Sequence, residues 1–112
     1  MPRRPRAESD ERGCEGCYPF CLATGEKGLA AQARAFFPGI GISEDPATGT
    51  AAGPLGAYLA SRNLISEGVW AVIRQGVEIK RPSRIEVRVR GEQVEVAGRS
   101  VIVAEGTLYL SN

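Results

Sequence analysis

Two adjacent acids, Glu44 and Asp45, stand directly before a proline and a run of almost bare backbone, PATGTAAGP at residues 46–54. A carboxylate beside stripped backbone is the kind of arrangement that can move protons on a bound anion. The local stereochemistry predicts how. Pro54 lacks an N–H and is tolerated in a first helical turn, so a helix is expected to begin between Gly49 and Gly53. Thr48 is the expected N-cap, and Pro46 holds Asp45 extended. The N–H groups of Gly49, Thr50, Ala51 and Ala52 would then point out of the helix end, with side chains too small to block a ligand. Such a terminus suits a carboxylate or phosphate. Asp45 lies beside it, and an acid next to a bound anion is discouraged from ionising, which fits it to carry a proton. Thr50 adds a hydroxyl at the helix mouth. The candidate catalytic groups are therefore Asp45 and Thr50, and the candidate anion-binding groups are Gly49, Thr50 and Ala51. The same residues also fit a capped helix with a small packing face and acids that merely solvate the loop. No Gly-Lys-Ser/Thr follows, so the segment is not a P-loop.

Other chemistries are narrowed by composition. The 112 residues contain no histidine, which removes Ser–His and Cys–His catalysis and any His-containing metal site. Three cysteines cluster in CEGCYPFC as Cys14, Cys17 and Cys21. Zinc needs four ligands, so this cluster falls short unless two chains share a metal, and no metal site is expected. A redox pair would open a helix, whereas YPFCLAT reads as a strand. Cys17 and Cys21 are expected as small apolar residues of a buried strand. The net charge of +1 gives no basic field for nucleic acid, and no apolar run approaches the roughly 20 residues that span a bilayer. The basic start MPRRPRAESDER has no apolar region after it, so a cytoplasmic protein is expected, with neither nucleic-acid nor membrane partners.

The elements that must position the acids follow from periodicity. Residues 1–12 offer nothing to bury and are expected to be a disordered tail, with a single domain over residues 13–112. Residues 14–24 and 29–37 read as a hairpin around Gly25 and Gly28, and residues 41–56 as a loop leading into the helix. The helix places Leu55, Leu59 and Tyr58 on one face and ends near Arg62 and Asn63. Gly49, Gly53, Gly56 and Ala60 give it a bare stripe for close packing on a sheet. After Val69 come WAVIRQG, SRIEVRVRG, QVEVAG, SVIVAEG and TLYL, read as five short strands with turns at Gly91, Gly98 and Gly106. Ile85, Val87 and Val89 share one face of their strand, and Glu86, Arg88 and Arg90 a solvated one. The fold class is α+β, an antiparallel-rich curved sheet wrapped over one helix.

The segment FFPGIGISEDPATGTAAGPLGAYL resembles the hallmark of the PhzF-like phenazine-biosynthesis family, through Arg34, Phe36, Pro38, Gly41, Ile42, Glu44, Asp45, Pro46, Ala47, Thr48 and Gly49. QGVEIKRPSRIEVRV is similar to a later family segment, through Gln75, Gly76, Arg81, Pro82, Ser83 and Ile85. The resemblance runs from about residue 14 to the end. It implies a diaminopimelate epimerase-like fold of two similar halves, each a barrel-like sheet around a central helix, with the substrate carboxylate meeting helix N-termini in the cleft between them. It further implies isomerisation by acid–base proton transfer on a small carboxylate, without cofactor. By matched position Asp45 would be the active-site acid of the second half, with Gly49 and Thr50 lining the anion end. Where the family usually has Ser this chain has Thr50, whose methyl narrows the pocket. The family's main catalytic Glu belongs to the first half, and neither Glu44 nor Glu78 matches it. The resemblance thus covers a C-terminal half alone. Its expected partner is a missing N-terminal half or a second copy, two copies pairing through their helix mouths. The alternative is an orphaned domain that binds a small carboxylate, or only itself, without catalysis.

Overall fold

The computed structural model describes residues 16–22 and 25–111. The expected tail over residues 1–12 and Cys14 lie outside these. Strands β1 (Phe20–Leu22), β2 (Leu29–Ala33), β3 (Ala35–Phe37) and β4 (Ile42–Asp45) precede helix α1 (Gly49–Ser61), and β5 (Ala71–Gln75), β6 (Ser83–Arg90) and β7 (Gln93–Ala97) follow it. The main sheet has the order β1-β2-β5-β6-β7, and β3 pairs with β4 in a separate two-stranded sheet. All pairs are antiparallel except β2 with β5, which run parallel from Leu29↔Val72 to Ala33↔Gln75. The parallel pair follows from a crossover, because β3, β4 and α1 lie between the two strands in sequence. The class is α+β, as expected. The sheet is open, with β1 and β7 as its edges.

Several expected elements are redrawn. The single strand over residues 29–37 is two strands, because Arg34 sits between the segment that joins the main sheet and the segment that joins β4. The loop over residues 41–56 contains β4 itself and the start of α1. Cys17 is half-buried and Cys21 exposed, so neither belongs to a buried strand; β1 is an edge strand whose three residues all face solvent. The strands expected from SVIVAEG and TLYL are absent. Residues 98–111 carry no regular structure, and their β-branched and aromatic residues lack any neighbouring strand to pair with. Gly98 and Gly106 are not among the positive-φ glycines, so neither makes a tight turn, whereas Gly91 at φ 60° turns β6 into β7.

Helix α1 covers one face of the sheet, lying over β6 and β7. Its core side chains are Leu55 and Leu59, with Leu59, Ile73 and Val87 fully buried. Each such side chain contributes about 1.5–3 kcal/mol by leaving water. Tyr58, expected on the same face, is 46% exposed and instead meets the edge of the Phe20 ring at 6.0 Å. The small-residue stripe does what was expected of it. A Cβ placed on Gly56 would lie 3.1–3.2 Å from Val87, and one on Gly53 would lie 3.3 Å from Val96. Gly56→Ala is therefore expected to destabilise by about 1 kcal/mol, because the loss of fit against an immobile strand residue exceeds the helix-propensity gain of up to about 1 kcal/mol. Urea melts of the two proteins check the sign. The helix ends on Asn63 at φ 56°, where the N–H groups of Leu64 and Asn63 donate to the carbonyls of Leu59 and Ala60.

The other sheet face is polar. Arg88 forks onto Glu95 at 3.1 and 2.8 Å, Arg90 reaches the same carboxylate, and Arg74 pairs with Glu26. The Arg88 hydrogen bond holds the Glu95 carboxyl below the usual carboxylate range. Arg88 also stacks over Trp70 at 4.4 Å. This is the solvated face that the alternating charges of β6 led one to expect.

Candidate active site

The site begins at the junction of β4 and α1. Thr48 is the N-cap residue by position, with extended backbone, and α1 starts at Gly49. Pro54 consequently lies in the second turn of the helix, not the first as expected, and leaves the Thr50 carbonyl without its helical donor. Thr50 is exposed, so water can serve that carbonyl. The Thr48 side chain does not cap the helix either. Its hydroxyl donates to Asp45 Oδ2 at 2.5 Å. The backbone carbonyl of Thr48 accepts from Ala51 and Ala52, while the N–H groups of Gly49 and Thr50 have no acceptor among the described residues. Of the four N–H groups expected to be open, two are.

Asp45 is half-buried and ends β4, paired with Ala35. One of its carboxylate oxygens is held by Thr48, and the other has no hydrogen bond among the described residues. Glu44, its neighbour, is fully engaged: Arg34 forks onto it at 3.1 and 2.7 Å and also lies over the Phe36 ring. Glu44 is thus a strut that fixes β4, and Asp45 is the carboxylate left beside the helix mouth. Glu78 lies elsewhere, accepting from Gln32 at 3.1 Å.

Sequence reasoning undervalued Gln75. It is fully buried at the end of β5 and organises the site. Its Nε2 donates to the Asp45 carbonyl at 2.8 Å and to Thr48 Oγ1 at 2.9 Å. Its Oε1 accepts from the Thr48 N–H and from the Tyr18 hydroxyl, each at 3.2 Å. Burial pushes the Tyr18 hydroxyl up to about 12, so it stays protonated and can donate. Ser83 on β6 completes the frame, its hydroxyl donating to the carbonyls of Pro46 at 2.8 Å and Gln75 at 3.2 Å. Gln75 and Ser83 stood in the resembling motif; the signal that could have singled Gln75 out was a lone amide at the end of the apolar run WAVIRQ, where only a fully bonded polar group is tolerated.

Two recesses flank the helix mouth. One, of about 370 Å³, is apolar and is lined by Tyr18, Phe20, Ala51, Pro54, Leu55 and Tyr58. The other, of about 400 Å³, runs between α1 and β7 and is bounded by Gly49, Gly53, Ala57, Val94 and Val96. Among the described residues no cluster of three or more His, Cys, Asp or Glu could hold a metal ion. No described helix is long and apolar enough to cross a membrane.

An α+β half with an uncapped helix mouth beside a held carboxylate is the class that fold and site define. Comparison with known proteins gives it a family. A sequence profile of the phenazine biosynthesis-like protein family matches residues 2–106, and the chain belongs to that family. It is 46% identical over 84 residues to the trans-2,3-dihydro-3-hydroxyanthranilate isomerase of Pseudomonas aeruginosa, covering 70% of this chain and 30% of that protein. It is 38% identical over 106 residues to the uncharacterised isomerase YddE of Escherichia coli, covering 87% of this chain and 35% of YddE. The structure of a predicted epimerase from Pseudomonas aeruginosa superposes with a TM-score of 0.56 at 28% identity, over 94% of this chain and 37% of that one. The chain spans about a third of the length of the curated relatives it matches.

Proposed function

We propose that this chain supplies the carboxylate-binding half of an isomerase site that moves a proton on a small carboxylate substrate without a cofactor. The observation that carries the reading is the pair of unsatisfied N–H groups of Gly49 and Thr50 at the positive end of a 13-residue helix, with Asp45 held alongside. In this reading the substrate carboxylate sits on those N–H groups and near Ala51, with the Thr50 hydroxyl at its edge. The apolar body of the substrate occupies the recess lined by Tyr18, Phe20 and Tyr58. Asp45, through its unbonded oxygen, takes a proton from the carbon next to the carboxylate, and the electron pair left behind delocalises into it. The proton is then returned at another carbon of the conjugated system. No net oxidation occurs, so the step needs no redox group. The relatives named as isomerases support this class of reaction. The barrel-like closure of the sheet around α1, and the second acid of the site, would come from a partner surface, because the chain spans about a third of its relatives.

A second reading is a carboxylate-binding or self-associating domain without catalysis, favoured by the strongly exposed apolar residues 101–103 and 108–110. The two separate in one experiment. In deuterated water, the protein is incubated with trans-2,3-dihydro-3-hydroxyanthranilate and with simpler unsaturated carboxylates. Exchange of the carbon-bound hydrogen is expected, and Asp45→Asn is expected to slow it about a hundredfold, the usual scale for a positioned acid–base group. Exchange unaffected by Asp45→Asn removes Asp45 from the chemistry. Absent exchange, with the Gly49 and Thr50 amide resonances still moving on carboxylate addition, leaves the binding reading.

A further inference from the structure

The hydrogen atoms of the buried frame beside Asp45 can be placed by elimination. A side-chain amide can be turned end for end, and its backbone partners decide which end is which. The Thr48 N–H is always a donor, so the Gln75 atom 3.2 Å from it is the carbonyl oxygen. The Asp45 carbonyl is always an acceptor, so the Gln75 atom 2.8 Å from it is the nitrogen. Both requirements give the same orientation, and the Tyr18 hydroxyl, donating to Oε1, agrees with it. The second N–H of Gln75 then goes to Thr48 Oγ1 at 2.9 Å. That oxygen accepts from Gln75, so its own proton points at Asp45 Oδ2.

The consequence reaches the carboxylate. Thr48 is buried and Gln75 fully so, and little water can replace a bond lost here. A proton on Oδ2 would face the Thr48 proton across a short contact. One of the two would have to turn away, and the Thr48 hydroxyl has no other acceptor among the described residues. Oδ1 has no hydrogen bond among those residues, and it is not sealed in, because no buried side-chain nitrogen or oxygen among them lacks a partner. Oδ1 is thus the carboxylate atom open to an incoming molecule.

We infer that Gln75 and Thr48 are positioning residues that confine the proton carried by Asp45 to Oδ1. The inference rests on the isomerase reading above and deepens it. Gln75 sets the direction of the Thr48 hydroxyl, and the hydroxyl keeps Oδ2 an acceptor throughout. As the substrate C–H bond breaks, an O–H bond forms at Oδ1 and the electron pair stays on the substrate. On return, that O–H bond breaks, a C–H bond forms at another carbon, and Asp45 regains its charge. The Thr48 bond to Oδ2 persists through both steps, so the carboxylate does not rotate. The proton leaves from the position at which it arrived. Gln75 has no exposed surface and acts only through Thr48 and Asp45.

The exchange assay in deuterated water, run on the 112-residue chain with trans-2,3-dihydro-3-hydroxyanthranilate, tests this with two variants. Thr48→Val keeps the shape and removes the hydroxyl, whereas Thr48→Ser keeps the hydroxyl. Thr48→Val is expected to slow exchange at least about tenfold, while acetate affinity, read from the Gly49 and Thr50 amide resonances, changes less than about twofold. Thr48→Ser is expected to restore most of the lost rate. In the wild type the Thr48 hydroxyl proton should give a resonance resolved from water, missing in Thr48→Val. The remaining amide spectrum of Thr48→Val shows whether it is folded. Wild-type exchange that Thr48→Val leaves unchanged overturns the inference alone, and the isomerase reading stands. Equal losses in Thr48→Val and Thr48→Ser, or a Thr48 hydroxyl proton that exchanges as fast as a free one, overturn it as well. No exchange in the wild type is the failure of the isomerase reading itself, and the inference falls with it.

Discussion

Gly76→Ala is expected to destabilise the protein by at least about 3 kcal/mol, a large share of the 5–15 kcal/mol that holds a small domain together. Gly76 follows β5 with φ 83°, a region that costs an L-residue roughly 1 kcal/mol. Space adds much more. A Cβ there would lie 2.2 Å from the Arg81 carbonyl oxygen and 2.8 Å from that of Pro46. Neither neighbour can yield cheaply. Arg81 closes the turn by donating its N–H to the Gly76 carbonyl at 2.9 Å, and the Pro46 carbonyl accepts the Ser83 hydroxyl. At about 4–8 °C per kcal/mol for a domain near this size, the midpoint should fall by roughly 12–24 °C. Gly25→Ala is the control, since Gly25 has φ 85° but nothing within 4 Å of the added carbon. It should cost about 1 kcal/mol for the backbone alone. Equal melting losses for the two variants would show that the close approach of the turn to Pro46 carries no energy. The site is coupled to this turn, because moving Pro46 moves Asp45 and Thr48 with it.

How much of this could be read in advance depends on whether the signal was local. The helix boundaries were legible to within the first turn, because proline, small residues and an Asn at the far end each act through their own backbone. The alternation in β6 was legible for the same reason: Ile85, Val87 and Val89 are buried, while Glu86 between them is only half-buried and Arg88 and Arg90 pair with Glu95 on the other face. What failed was pairing. Residues 101–103 and 108–110 have the apolar and β-branched composition of strands but no neighbour, and a neighbour is not encoded locally. The split at Arg34 was hidden similarly, since only the partners, β5 for one half and β4 for the other, reveal two sheets. Thr48 shows the same limit at the scale of one side chain. Its position predicted a cap, but Asp45 and Gln75 compete for the hydroxyl and win, which leaves the helix mouth open. That unmade cap leaves the N–H groups of Gly49 and Thr50 without an acceptor among the described residues.

Gln75→Leu is the second large effect, with an expected loss of about 3 kcal/mol. The side chains are similar in volume, so little is lost in packing, and the cost is polar. Leucine would strand the Thr48 N–H, the Tyr18 hydroxyl and the Asp45 carbonyl, each in contact with Gln75 at 2.8–3.2 Å. A buried group left without a partner costs about 1–3 kcal/mol, and the gain from burying a few more apolar atoms offsets part of the sum. Gln75→Glu separates the polar requirement from shape. The carboxylate can still accept from Thr48 and Tyr18, but it cannot donate to the Asp45 carbonyl, and it places a charge at a site with no exposure. Burial would raise the folded-state pKa of that new glutamate above its unfolded value. The variant should then lie furthest below wild type above that raised pKa and recover as pH falls through it, because the protonated acid can donate again. Melts at a series of pH values read the gap directly. A gap independent of pH would mean that the donated bond to Asp45 contributes nothing. In that case Asp45 would be held by Thr48 alone, and the helix mouth would owe its geometry to β4 and not to the buried amide.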